Sequence, residues 1–131
     1  MKLKKIRKVK KPTGKSLKKE LDRVFSLWIR ARDGACVTCG STEQANNGHL
    51  FSRKNLSTRY CEINCNQQCW PCNSLHRWDT HPYTRWFIGK YGLEAYDELH
   101  RKHRQIKQFS NPDLQELIEK YKQRSDFVSV L

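Results

Sequence analysis

Six cysteines lie between residues 36 and 72 of this chain, and four form two tight pairs, Cys36-Val37-Thr38-Cys39-Gly40 and Cys69-Trp70-Pro71-Cys72-Asn73. A two-residue spacer lets both sulfurs of a pair reach one tetrahedral ion, and Gly40 permits the turn after the second thiolate. Together the pairs predict a closed structural Zn²⁺ site with Cys36, Cys39, Cys69 and Cys72 as ligands and no open position for chemistry. A redox dithiol is the competing reading of a single pair, but neither pair here sits in a βαβ pattern. Disulfides need an oxidising compartment, and the sequence shows no export signal. Cys61 and Cys65 are left over as alternative ligands or buried small apolar residues, and burial is the favoured reading because the ligand set is complete without them.

Gly48-His49-Leu50 and Ile63-Asn64 lie between the pairs, and Asn73 directly follows the second. A lone His in a hairpin or a lone Asn in a turn is ordinary. Here one metal staple would bring the three together, fixing Asn73 at the start of the helix after Cys72 and holding His49 and Asn64 on the intervening hairpin and loop.

Several helices must frame this centre. Ser16 is expected to cap a helix running to Gly34, with Leu17, Leu21, Val24, Phe25 and Trp28 at helical spacing. Residues 35–72 read as knuckles and a hairpin. Pro82 fits a first helical position, followed by Trp86, Phe87 and Tyr91 as an aromatic face that ends at Gly92. A further helix is expected from Leu93 to about Ile106. Asn111-Pro112-Asp113 caps a last one, whose Leu114, Leu117, Ile118 and Tyr121 share a face. The aromatic stripes are expected to face the core. The expected class is α+β, with a disordered basic arm over 1–15 and a single domain over 16–131. That domain divides into an N-terminal helix (16–34), a zinc-stapled core (35–80) and a helical region (81–131).

The chain carries 26 Lys+Arg against 13 Asp+Glu in 131 residues, a net charge of +13. Its length excludes a multidomain machine, and its charge points to nucleic acid. Residues 1–19 hold ten of the cations and no acid, which leaves a net of +3 for the remainder. Such a segment suits a phosphate-tracking arm. Arg53, Lys54, Arg59 and Arg77, with Arg85 and Lys90, flank the His and Asn residues and are expected to contact DNA phosphates. No base-reading motif is evident, so shape matters more than sequence. The longest apolar stretches, such as 24–29, are too short to cross a bilayer, so no membrane partner is expected. The basic start lacks the apolar segment of a secretory signal, which makes the cytoplasm the expected location, that of the host if the gene is a phage's.

The order CxxC, His, Asn, CxxCN resembles the HNH, or ββα-metal, nucleases, in which a treble-clef zinc scaffold carries a second, catalytic metal. GHLFSR, RYCEINCNQQCWPCN and YGLEAYDEL resemble the phage NinG/Rap recombination endonucleases, which act on branched DNA. The resemblance covers roughly residues 30–100 and is best from Cys36 to Asn73. It implies a metal-dependent endonuclease, a phosphodiester hydrolase selective for branched intermediates such as Holliday junctions. His49 would be the general base, Asn64 the residue that orients the ring or its loop, and Asn73 an oxygen ligand for catalytic Mg²⁺ or Mn²⁺. Cutting a four-way junction symmetrically favours a homodimer.

One position departs from the pattern. Many HNH enzymes carry Asp or His just before the base, where this chain has Gly48. His76, one helical turn beyond Asn73, and Asp79 are the expected replacement ligands. Asn47, on the same hairpin face as His49, is a further candidate, and His81 is expected to be an ordinary surface residue. His100 and His103 are expected to be solvated. Two rival readings are a non-enzymatic zinc module that binds DNA or RNA, and an HNH nicking enzyme on linear duplex.

Overall fold

The computed structural model describes the backbone of residues 11–130 and the side chains of 11–126. Most of the expected basic arm lies outside the described residues. Helix α1 (Gly14–Asp33) starts two residues earlier than its sequence suggests. Thr13 rather than Ser16 is the N-cap: the Ser16 amide donates to Thr13 Oγ1 at 3.1 Å and the Thr13 amide to Ser16 Oγ at 2.9 Å. Ser16 is therefore the inner half of a reciprocal cap, and Gly14 and Lys15, assigned to the arm, are helical. Gly34 ends the helix at φ 74° with its amide on Arg30 O.

A two-stranded antiparallel hairpin follows, β1 (Ala45–His49) against β2 (Cys65–Cys69), in a register that pairs Gly48 with Asn66 and His49 with Cys65. Between the strands lies the short α2 (Leu56–Arg59), and α3 (Trp70–Leu75) leaves β2 directly. Then come α4 (His81–Tyr91), α5 (Leu93–His103) and α6 (Asn111–Val130). Pro82 stands in the first turn of α4 and Gly92 ends it, as expected. Helix α5 stops at His103, short of Ile106, and Ser110 rather than Asn111 exchanges hydrogen bonds with Asp113 ahead of α6. Among the described residues no helix is long and apolar enough to cross a membrane.

Two apolar clusters hold these elements together. Leu17, Leu21, Val24, Phe25 and Ile29 of α1 meet Leu114, Ile118 and Tyr121 of α6 around Tyr60 and Cys65. Leu50, Tyr83, Phe87 and Leu99 form the second, joining the hairpin to α4 and α5. Phe87 and Tyr121 thus sit in the core, whereas Trp86 is half-buried and Tyr91 exposed.

Every residue of β2 is buried although its sequence, Cys-Asn-Gln-Gln-Cys, is polar. Several of its polar groups find partners, although Gln67 Oε1 and Gln68 Oε1 are buried without one. Asp33 Oδ2 accepts from the Gln67 amide at 2.8 Å, and the Val37 amide donates to Gln67 O at 2.9 Å, so the free edge of the strand is closed. Asn66 accepts from Arg32 and donates to the Tyr83 hydroxyl at 3.0 Å, and that hydroxyl donates to Gly48 O at 2.7 Å.

Candidate functional site

The four predicted zinc ligands come together. The sulfurs of Cys36, Cys39, Cys69 and Cys72 lie within 4.8 Å of one another, with Cys39 and Cys69 at 3.6 Å. A tetrahedral ion with Zn–S of about 2.3 Å separates its sulfurs by roughly 3.8 Å, so the cage fits Zn²⁺. The first pair sits on the turn after α1, where Gly40 takes φ 81°. The second bridges the end of β2 and the first turn of α3. Burial pushes the Cys36 thiol up, but backbone amides of Cys69, Cys39 and Thr38 pull it down to about 6. The thiol of Cys72 is pushed up, by burial first and then by the neighbouring sulfurs. This cluster could hold a metal ion, which would favour the thiolate form of all four sulfurs.

Cys65 lies outside the cage, fully buried in the α1–α6 core, where burial pushes its thiol up. Cys61 is half-buried at the edge of the second cluster and accepts from Lys102 Nζ at 3.6 Å. Cys65 is thus buried as expected, whereas Cys61 is only partly so.

A cleft of ≈ 850 Å³ opens beside the cage, lined by His49, Asn73, His76, Arg53, Lys54 and Arg77, and also by Asp22, Ser26, Asn46 and Asn47. His49 ends β1. Its Nε2 lies 2.9 Å from Arg59 O. A carbonyl only accepts, so Nε2 carries the proton and Nδ1 is left as an acceptor. Burial holds the imidazole below its usual pKa, opposed by the Arg59 carbonyl and by Asp22 and assisted by Arg53. The ring is therefore neutral near pH 7, with a free lone pair.

Asn64 is fully buried and does not touch the ring. Its Oδ1 accepts from the Phe51 amide at 2.8 Å, and its Nδ2 donates to Phe51 O and Thr58 O, each at 3.0 Å. It closes the loop from 51 to 64, and Thr58 immediately precedes the carbonyl that holds His49.

Asn73 and His76 project from α3 and its end into the cleft. His76 Nε2 donates to Leu50 O at 2.8 Å, while Nδ1 is buried without a hydrogen-bond partner. Asn47 Oδ1 is similarly buried without a partner. Asp79 does not line the cleft: its Oδ1 accepts from the His81 amide at 3.1 Å, at the head of α4. His81 is exposed.

The absence of an acid at Gly48 has a steric cause. A Cβ there would lie 2.2 Å from Gln68 Oε1, and Gln68 is buried with its Nε2 on Thr38 Oγ1 at 2.9 Å. The space for an acid is taken by the neighbouring strand's amide.

The cations divide into two kinds. Lys54 and Arg77 line the cleft and make no ion pair among the described residues. Arg59, expected to contact phosphate, is already paired: Asp22 binds its Nε at 2.9 Å and its Nη2 through the second oxygen, a brace between α1 and α2. Arg53 makes a single 2.9 Å contact to the same carboxylate and is more than half exposed. Asp22 escaped sequence reasoning because no spacing rule links a helix residue to a His 27 positions later.

His103 likewise differs from expectation. It is half-buried, stacked on Phe51 at 5.1 Å with its Nδ1 2.9 Å from Thr58 Oγ1, and it fastens α5 to the loop. His100 is exposed but also stacks on Phe51.

In comparison with known proteins, the sequence pattern of the family described as bacteriophage lambda NinG protein matches residues 1–128, nearly the whole chain. No curated protein and no solved structure matches it.

Proposed function

The chain belongs to the bacteriophage lambda NinG family, and from that premise we propose that it is a metal-dependent DNA endonuclease of phage recombination, with an HNH-type ββα-metal core made of β1, β2 and α3. Family membership implies a recombination-related role. The observation that carries the step to cleavage is His49, neutral, fixed through Nε2 on a backbone carbonyl, in a cation-lined cleft with Asn73 and His76.

His49 Nδ1 takes the proton from a water that attacks phosphorus in line. Asn64 acts at one remove, by fixing the loop that carries the Arg59 carbonyl. Arg53, Lys54 and Arg77 hold the phosphate backbone over the cleft. Mg²⁺ or Mn²⁺ would be held by Asn73 and by His76 Nδ1, the orphaned acceptor, and Mn²⁺ takes an imidazole more readily. When bound, the cation supplies charge stabilisation at the phosphate and the departing 3′ oxygen. The products would be a 5′-phosphate and a 3′-hydroxyl. A branched junction is the proposed substrate, and a homodimer the form that cuts it symmetrically.

One observation favours the rival of a zinc-stapled binding module. Gly48 and Gln68 leave Asp22 as the only carboxylate lining the cleft among the described residues, and two arginines occupy it. Wild type and His49→Ala, incubated with labelled junction, flap and linear duplex in Mg²⁺, Mn²⁺ or EDTA, decide the matter, with zinc retention verified in parallel. Cutting by wild type in a metal, falling about 10²–10⁴-fold in the variant, is the expected result. Cleavage that survives His49→Ala would reject the base, binding without cleavage would leave the module, and preference for linear duplex would leave the nicking enzyme.

A further inference from the structure

A second groove, of ≈ 600 Å³, lies along α1, lined by Ser16, Lys19, Arg23, Ser26 and Arg30, with Arg53 held against Asp22 midway along it. It is shallow and open, a shape for a polymer backbone rather than a small molecule. Asp22, Ser26 and Arg53 line this groove and the cleft of His49 alike, so the two are continuous. From residue 16 to residue 30 a helix rises about 21 Å, the length of roughly six base pairs.

The groove contains two acids, and both are occupied. Glu20 is bound by Arg23 at 2.7 Å and faces Lys122 at 3.8 Å, and Asp22 is bound by Arg53 and Arg59. Lys19 and Arg30 make no ion pair among the described residues. Arg30 Nε donates to Ser26 O at 3.3 Å, which lays its guanidinium along the helix. Lys15 stands one turn before Lys19 on the same face. The ten-cation segment of residues 1–19 ends on this helix, at the Ser16 end of the groove.

We infer that α1 is the wall of a DNA track: the phosphate backbone of one arm of the substrate runs along Lys15, Lys19 and Arg30, and the track opens into the cleft midway, where Arg53 meets Asp22. The inference rests on the reading of the cleft as a DNA site and adds where the DNA outside it lies. A second copy of this chain is a poor occupant, since it brings the same positive charge to a positive groove. Continuity with the cleft selects DNA over an acidic peptide. At the crossing point Arg53, singly bonded and exposed, is the cation free to leave Asp22 for a phosphate, while Arg59 stays braced.

The test is equilibrium binding of a four-way junction and of a 20-base-pair duplex by fluorescence anisotropy, without Mg²⁺ or Mn²⁺, from 50 to 200 mM salt. Lys19→Glu/Arg30→Glu is compared with Arg101→Glu/Arg104→Glu, which changes net charge equally at residues that line neither groove. Zinc content and far-UV circular dichroism check folding, and Lys19→Ala/Arg30→Ala replaces the reversal if it misfolds. Loss of two phosphate contacts should reduce the salt slope by roughly 1.8 and weaken binding about tenfold or more, with little change in the control pair. Unaltered slope and affinity in the groove variant would overturn the track, as would equal weakening in the control. If wild type binds but cuts nothing in either metal, the endonuclease reading fails while the track stands.

Discussion

The backbone carbonyl of Arg59 accepts the Nε2–H of His49 at 2.9 Å, while the guanidinium of the same residue is gripped by Asp22 of α1. One residue thus fixes the tautomer of the imidazole and ties the loop that does so to the longest-packed helix pair of the fold. The other nitrogen of the ring is left with a lone pair in the cleft.

This arrangement sets a pH dependence. Burial holds the His49 imidazole below its usual range, and a general base works only when unprotonated, so under the proposed mechanism kcat/KM should rise with pH along an acid limb displaced below that of an ordinary imidazole. Asp22→Asn removes a charge that favours imidazolium and leaves Arg53 and Arg59 uncompensated. Its acid limb should move to still lower pH, and a limb displaced upward would contradict the assignment.

Asn64→Ala should cost about 2–3 kcal/mol in urea unfolding, because it strands the Phe51 amide and the Phe51 and Thr58 carbonyls at once. Cleavage should fall with it, since the Arg59 carbonyl moves with Thr58. Zinc content should not change, and metal loss would mean that Asn64 supports the cage instead.

Gly48→Ala should destabilise by roughly 1–3 kcal/mol through collision with Gln68. Shortening Gln68 to Ala in the same chain should recover part of this, so a double-mutant cycle gives favourable coupling. Strictly additive effects would remove Gln68 as the reason for the glycine.

One zinc per chain is expected by elemental analysis, retained in Cys61→Ser and lost in Cys69→Ser. Stringent chelation should separate the turn after α1 from α3 and reduce ordered structure, because β2 is too polar to hold that junction alone. Circular dichroism left unchanged by full metal removal would show that the cage is not what holds the centre.

The cage was legible because its chemistry is local. Each CxxC spacer is short enough that sequence distance nearly equals spatial reach, and two such pairs have few other uses. The helices of 14–33 and 81–91 were legible for the same reason: caps, prolines and glycines act within a turn. Their edges were less so. Thr13 and Ser16 both have hydroxyls, and only the reciprocal geometry shows which one begins the helix.

Asp22, His103 and Gln68 were not legible, because each acts on residues far along the chain through a contact made only when the elements dock. The ion pair of Arg59 was hidden for a related reason, since in sequence a guanidinium beside a proposed active site looks free until an acid from another helix is found on it. By itself the sequence determined the four cysteines that cluster, the positive charge, the alternation of helices around a hairpin and the candidate set His49, Asn64 and Asn73. Tertiary structure decided how that set divides. His49 faces the cleft with one nitrogen tied down, and Asn64 is buried as a loop clamp. Spacing along the chain constrains which groups can meet, but their protonation and their partners depend on what else is packed beside them.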